Sequence, residues 1–464
     1  MTAEPPSPVP VLAAQPRLLT LRLSIMMFLQ WGMFGLWAPL AGMFILAKVE
    51  EGGLGFSQYQ LGWLLGISGS IGALAAPFIA GQIADRYFST QRLMGVILVI
   101  GGVLWWIMSE QKVFGAWLAL SITGSLALAP TGALSNALAF AHMSNPTKQF
   151  PVVRVWGTIG WIVAMWVFAW VWLRQTFVLS SGFPFILLHE SVELTWKPMF
   201  LMGREHADVV ARMVQSLKAG AVVAFVYAAY CLTLPNTPPK RDAAEKLAFW
   251  KAFRLFRYRS FLVLMVAALL IACIHNIFFM QTANHLRLLG LTKADIGPAM
   301  TIGQVTEIVM IAILGWMLKR LGMRRVLAIG GAAYLLRFLF LGSTWLPLWV
   351  IVLSLGFHGI CFACYYAAAF IYVERLADED IRHTAQTLFG ILIAAGPVIG
   401  GALNGVLADK FTPAGGKLNY TGYWYTVAII GLVATVVLAL FFRDEAKKDQ
   451  PTEAPAPPAE PRVD

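Results

Sequence analysis

"GQIADRYFSTQR", residues 81–92, follows a long apolar stretch with a glycine and then a short run of charges. The same punctuation returns in "GWMLKRLGMRR", residues 315–325. The first carries Gly81, Asp85, Arg86 and Arg92; the second carries Gly315, Lys319, Arg320, Arg324 and Arg325. A small residue near a helix end is expected to let two helices approach closely. The charges, Asp85, Arg86, Lys319 and Arg320 among them, then cap and pin a turn at a membrane surface. Two such turns at matching places in the chain indicate an internal repeat, the organisation of many secondary transporters.

The surrounding sequence has the composition that such a repeat needs. Of the 464 residues, 58% are hydrophobic and only 13% charged, with a mean hydropathy of +0.69. A soluble domain carries roughly 25% charged residues. Uncharged stretches at 23–47, 52–84, 93–109, 113–147, 155–173, 219–239, 260–286, 384–408 and 418–442 mostly reach the ~20 residues that cross a bilayer. Single charges hide three more spans, at 296–318, 326–343 and 347–373. The expected fold is therefore an all-α membrane protein of twelve transmembrane helices in two six-helix bundles, residues 18–235 and 260–443. An external loop, 176–213, interrupts the first bundle and serves as a lid or as a structural ornament. The central segment 236–259 alternates basic and aromatic residues, which suits the inner membrane surface. The tails 1–17 and 444–464 are polar, Pro-rich and expected to be disordered.

A net charge of +11 raises the question of a nucleic-acid partner, and its distribution answers it. Sixteen Lys and Arg lie in one alternate set of loops, against six in the opposite short loops. That asymmetry places both termini in the cytoplasm and makes the basic balance a matter of topology. No nucleic acid, cofactor or metal is expected. His358, Cys361 and Cys364 are spaced three apart, but a closed metal site needs about four ligands and no second pair exists. Zincin, nucleophile-elbow and P-loop motifs are absent, as are paired intramembrane aspartates, so an enzyme is not expected.

Polar residues inside spans are costly and mark cavities or partners. Arg154, Thr158 and Trp161, at i, i+4 and i+7, place a cation, a hydroxyl and a flat ring along one helix face. A planar polar solute could be hydrogen-bonded by the first two and stacked on the third; the alternative is an arginine snorkelling to the inner interface. Gln304 and Glu307, three apart, share another face. Glu307 precedes Lys319 by twelve residues and Arg337 follows Arg325 by twelve, so both lie roughly 18 Å from the same turn. Equal depth makes a Glu307–Arg337 ion pair the natural expectation, with Glu307 otherwise free for substrate or a proton. Gln30, Asn136, Gln386 and Asn404 either line the cavity or join helices.

The loop signature G-x-x-x-D-R resembles that of the major facilitator superfamily. "FLQWGMFGLW" (28–37), "VRVWGTIGWIVAMWV" (153–167), "IGQVTE" (302–307), "AAYLLRFLFLG" (332–342) and "IYVERLADEDIRHTAQTLF" (371–389) resemble segments of the bacterial nucleoside:proton symporters within it. The likeness runs from about residue 20 to 443, omitting 176–213. It implies a monomeric carrier in the bacterial inner membrane that takes up nucleosides or similar ring-bearing solutes with protons. It also implies a substrate site of Arg154, Thr158, Trp161, Gln304 and Glu307, with Trp161 standing where characterised carriers have Phe. The chain departs from the pattern at His275 and Phe278, in place of Gln and Asn, and at Ala363, in place of an Asp. Glu307 and then His275 are the proton-coupling candidates; His358 reads as a packed helix residue. A sugar-derivative carrier, or a facilitator without proton coupling, is the alternative.

Overall fold

The computed structural model describes residues 16–79, 88–144, 146–174, 205–238, 253–377 and 382–446. With this composition, backbone polar groups in hydrocarbon must be satisfied within each segment, so the apolar runs become helices. Eleven described helices are long and apolar enough to cross a membrane. They are α1 (Pro16–Leu46), α3 (Thr90–Ser109), α4 (Phe114–Ala141), α5 (Pro146–Trp172), α6 (Gln215–Cys231), α7 (Arg259–Leu288), α8 (Lys293–Leu321), α9 (Met323–Gly342), α10 (Leu348–Leu376), α11 (Arg382–Phe411) and α12 (Tyr420–Phe441). The twelfth, α2, is a helical run over 58–79 that widens into a π-turn at Trp63–Ile67. A second π-turn, Phe362–Ala367, interrupts α10.

The internal repeat is visible in which helices pack together. In the first half α1 lies along α5, α2 along α4, and α3 along α6. The second half repeats each pairing six spans later: α7 with α11, α8 with α10, and α9 with α12. The halves meet where α1 touches α7, α2 touches α11, and α5 touches the start of α8. Single helices show the logic. Val305, Val309, Ile313 and Trp316 form an exposed apolar stripe on α8, while Gln304, Glu307, Leu314 and Met317 on its other side are buried.

Polar contacts between the halves gather toward the end of the bundle opposite the termini. There Arg174 pairs with Asp295, which also accepts a hydrogen bond from the Thr292 hydroxyl. Glu51 meets Arg287 at 3.3 Å and Lys293 at 3.9 Å. The Ala294 N–H donates to Glu205 at 3.2 Å, and Asn284 donates to the Gly42 carbonyl at 3.1 Å. Gln281 donates to Asn404 at 2.6 Å, and the Asn404 amide donates to the Gln58 carbonyl at 3.1 Å. Tyr420 and Tyr423 donate into the same cluster at 2.9 and 2.8 Å. Asn404 thus joins helices, one of the two roles open to it from sequence. Backbone meets backbone here too, because Gly62 and Gly401 leave no side chain between α2 and α11.

Two expectations need correction. Residues 205–213 of the expected external loop are ordered by contact: Arg174 and Glu205 form an isolated β-bridge, and Val209–Met213 is helical. Helix α6 starts at Gln215, just past that loop, and its Lys218 pairs with Glu110. Gly315 faces open space, so it does not bring two helices together. The glycine that shapes the repeated turn is Gly322, whose φ of +77° makes the sharp passage from α8 to α9. Lys319 and Arg320 are exposed in the last turn of α8, where cations complement the helix dipole. Arg324 donates from Nε to the Ala439 carbonyl at 2.9 Å and ties the turn to α12. Gly81, Asp85 and Arg86 lie outside the described residues.

Candidate functional site

The site begins with the way α1 and α5 fit together. Both carry W-G-x-x-G, as Trp31-Gly32…Gly35 and Trp156-Gly157…Gly160. A Cβ added to Gly32 would lie 3.4 Å from the Gly160 carbonyl, and one on Gly35 would lie 2.9 Å from the Trp161 backbone. The helices therefore touch along their glycines, and Trp31 drops into the notch at Gly157. Above that notch the Arg154 guanidinium carbon stands 4.6 Å from the Trp31 ring centroid. Arg154, Thr158 and Trp161 are all partly exposed along one face.

The second half supplies the opposing wall. Gln304 and Glu307 are each 8% exposed, and Gln304 Oε1 has no hydrogen-bond partner among the described residues. Glu307 is held close to α10, since a Cβ on Gly359 would press on the Glu307 backbone nitrogen. The cation whose field reaches Glu307 is Arg154, from the other half of the molecule. His275 on α7 is hydrogen-bonded through Nδ1 to the Tyr334 hydroxyl at 2.7 Å and stacks on His358 at 5.4 Å.

The expected Glu307–Arg337 ion pair does not form. Arg337 is fully buried, its guanidinium carbon 3.1 Å from the Phe278 ring centroid with Cys361 and Tyr334 beside it. None of its guanidinium nitrogens makes a hydrogen bond of good geometry among the described residues. Equal depth was a sound inference from residue count, but depth does not fix rotation about the helix axis. Helix α9 turns Arg337 toward α7, while α8 turns Glu307 toward the first half.

Of the remaining candidates, Gln30 donates to the Thr131 hydroxyl at 2.8 Å and joins α1 to α4, leaving its Oε1 unpartnered among the described residues. Asn136 on α4 likewise has a buried, unpartnered Oδ1. His358 is 5% exposed and packed among rings. Ala363 is fully buried within the π-turn of α10. The four cysteines are buried and free, and among the described residues no group of three metal-ligating side chains converges. Sequence reasoning missed Trp31; its signal was the W-G-x-x-G pattern shared by two helices.

Comparison with known proteins identifies the family of the chain. The profile of the nucleoside H+ symporters matches residues 18–191 and 192–447. The chain belongs to the nucleoside H+ symporter family. It is similar to a putative nucleoside transporter, YegT, of Escherichia coli K12, with 28% identity over 439 residues, covering 92% of this chain and 94% of that one. It is also similar to the nucleoside permease NupG of the same organism, 26% identical over 448 residues and covering 91% and 95% of the two chains. The crystal structure of the nucleoside transporter NupG superposes with a TM-score of 0.73 at 22% identity, over 92% of this chain and 99% of that one. That likeness shows the fold, which is that of major facilitator carriers. The protein is thus a multi-pass membrane transporter and not an enzyme, working on a small molecule and protons.

Proposed function

We propose that this symporter takes up nucleosides, or solutes with a similar polar ring, at a site divided between its halves. Arg154 and Thr158 supply donors, Trp161 a stacking face, and Gln304 and Glu307 acceptors on the opposite wall. The feature that carries the reading is the Arg154–Glu307 relation: a cation and an acid from different bundles, within reach of each other's charge and not closed into an ion pair among the described residues. Groups held apart in this way have donors and acceptors to offer a solute that bridges them, and bridging would draw the halves together. Gln30 and Asn136, each with an amide oxygen unpartnered among the described residues, extend the acceptor side.

Glu307 is the proton-coupling residue in this reading. Arg154 keeps its charge at any working pH, and Ala363 offers no carboxylate on α10. His275, engaged with Tyr334, ranks second. The protein sits in the bacterial inner membrane as a monomer with both termini in the cytoplasm, so the polar rim between the halves faces outward. Counterflow of labelled uridine in proteoliposomes tests the substrate. Uptake under an imposed pH gradient tests the coupling: Glu307→Gln should lose accumulation and keep exchange. Accumulation by that variant would remove Glu307 from the coupling role. The alternative, a facilitator without proton coupling, is favoured by one observation, the buried Ala363. It predicts that wild type itself ignores the gradient.

A further inference from the structure

We propose that Trp31 is a positioning residue for Arg154, holding the guanidinium ready before the solute arrives; the inference rests on Arg154 being a substrate residue, as read above. Arg154 has no carboxylate within ion-pair distance among the described residues. A long side chain in that condition spreads over many rotamers, and ordering it is part of the cost of binding. The Trp31 ring, 4.6 Å from the guanidinium carbon, removes that freedom in advance. A cation over an aromatic face is held through its charge, not its N–H groups, so the donor fork stays available to a ligand.

The fit between α1 and α5 is built for this contact. A methyl added at Gly157 would lie 2.5 Å from Trp31 Cδ1 and 2.8 Å from Arg154 Nη1. One glycine thus makes room for both partners at once. Trp31 contributes more than filling, since its indole Nε1 is buried without a hydrogen-bond partner among the described residues. The second half holds a contrasting case: Arg337 also lies over a ring, Phe278, but is fully buried, so its stacking serves packing alone.

The test measures the half-saturation and maximal rate of uridine counterflow in proteoliposomes, with thermal unfolding as the folding control. Trp31→Leu should raise the half-saturation concentration about 5- to 10-fold, the size of a partly desolvated cation–π contact, with the maximal rate within about twofold. Trp31→Phe keeps a ring and should stay within about threefold of wild type. Gly157→Ala leaves the indole in the sequence but displaces it, and should shift half-saturation as Trp31→Leu does. A core-filling role would instead lower thermal stability and maximal rate together, with Phe no better than Leu, and that pattern overturns the proposal. So does an unchanged half-saturation in Trp31→Leu. Should Trp31→Leu fail to fold, Trp31→Phe and Gly157→Ala decide by the same criteria. Uridine exchange absent from wild type would sink the nucleoside reading and this inference with it; exchange present but indifferent to Trp31 sinks the inference alone.

Discussion

The rim at the end opposite the termini and the candidate site around Arg154 and Glu307 are both polar and both shared between the halves, but among the described residues only the rim is closed by ion pairs across them. At the rim charged groups of the two halves pair with partners across the seam: Arg174 with Asp295, Glu51 with Arg287, and Glu205 with the Ala294 N–H. At the site, polar atoms are left over: Gln30 Oε1, Trp31 Nε1, Asn136 Oδ1 and Gln304 Oε1 are buried and unpartnered among the described residues. Buried polar groups without partners are rare in folded proteins because each costs a lost hydrogen bond with water. In the proposed reading a solute completes the network around Arg154 and Gln304. Ion pairs between the halves make the rim a latch.

The largest expected effect comes from opening the latch. Asp295→Asn removes the carboxylate that the buried Arg174 and Thr292 share, leaving Glu205 as the acid near Arg174, and should cost up to about 3–5 kcal/mol. The variant should unfold at lower temperature and exchange amide hydrogens faster across 293–300. Unchanged protection would mean that the rim does not hold the halves. Next in size is Arg154→Lys, which inserts and folds normally but loses about tenfold or more in solute affinity, because a point charge cannot replace the planar fork. Equal binding by lysine would return Arg154 to an interface-anchoring role.

A smaller effect distinguishes the two possible partners of Glu307. A double-mutant cycle between Glu307→Gln and Arg154→Gln should show a coupling of about 0.5–1 kcal/mol in stability, whereas the cycle with Arg337→Gln should be additive. Coupling to Arg337 instead would mean that α9 turns differently in the membrane. The smallest effect lies outside both regions. Glu445 accepts hydrogen bonds from the Ser260 hydroxyl at 2.6 Å and its N–H at 2.8 Å, which hold its carboxyl below the usual value. A depressed acid stabilises the fold above its unfolded pKa of about 4.3, and loses that contribution as pH falls through the folded value. Glu445→Gln should therefore lower the unfolding temperature slightly at neutral pH and not at all in strong acid.

How much of this was legible in the sequence divides along the same line. The spans, the internal repeat and the shared face of Arg154, Thr158 and Trp161 follow from composition and from residue spacing along one helix. Depth was legible as well, which is why Glu307 and Arg337 were matched. What spacing along one helix cannot give is rotation about its axis, and rotation sends Arg337 to Phe278 and Glu307 toward Arg154. The rim was hidden for a related reason. Arg174 and Asp295 are 121 residues apart, each at the edge of its own span, and nothing local distinguishes them from ordinary loop charges.

The glycine contact between α2 and α11 has a consequence for leakage. Gly62 and Gly401 let two backbones touch with nothing between them that could bend or re-rotamer to follow a partial separation. Dispersion between such surfaces falls by a quarter to a half over a gap of about 0.5–1 Å, so a slightly parted contact has already lost much of what held it. Packed interfaces of this kind behave as switches with two positions. A half-open rim is then a fleeting species, and small ions in the surrounding water find little time in which to slip through.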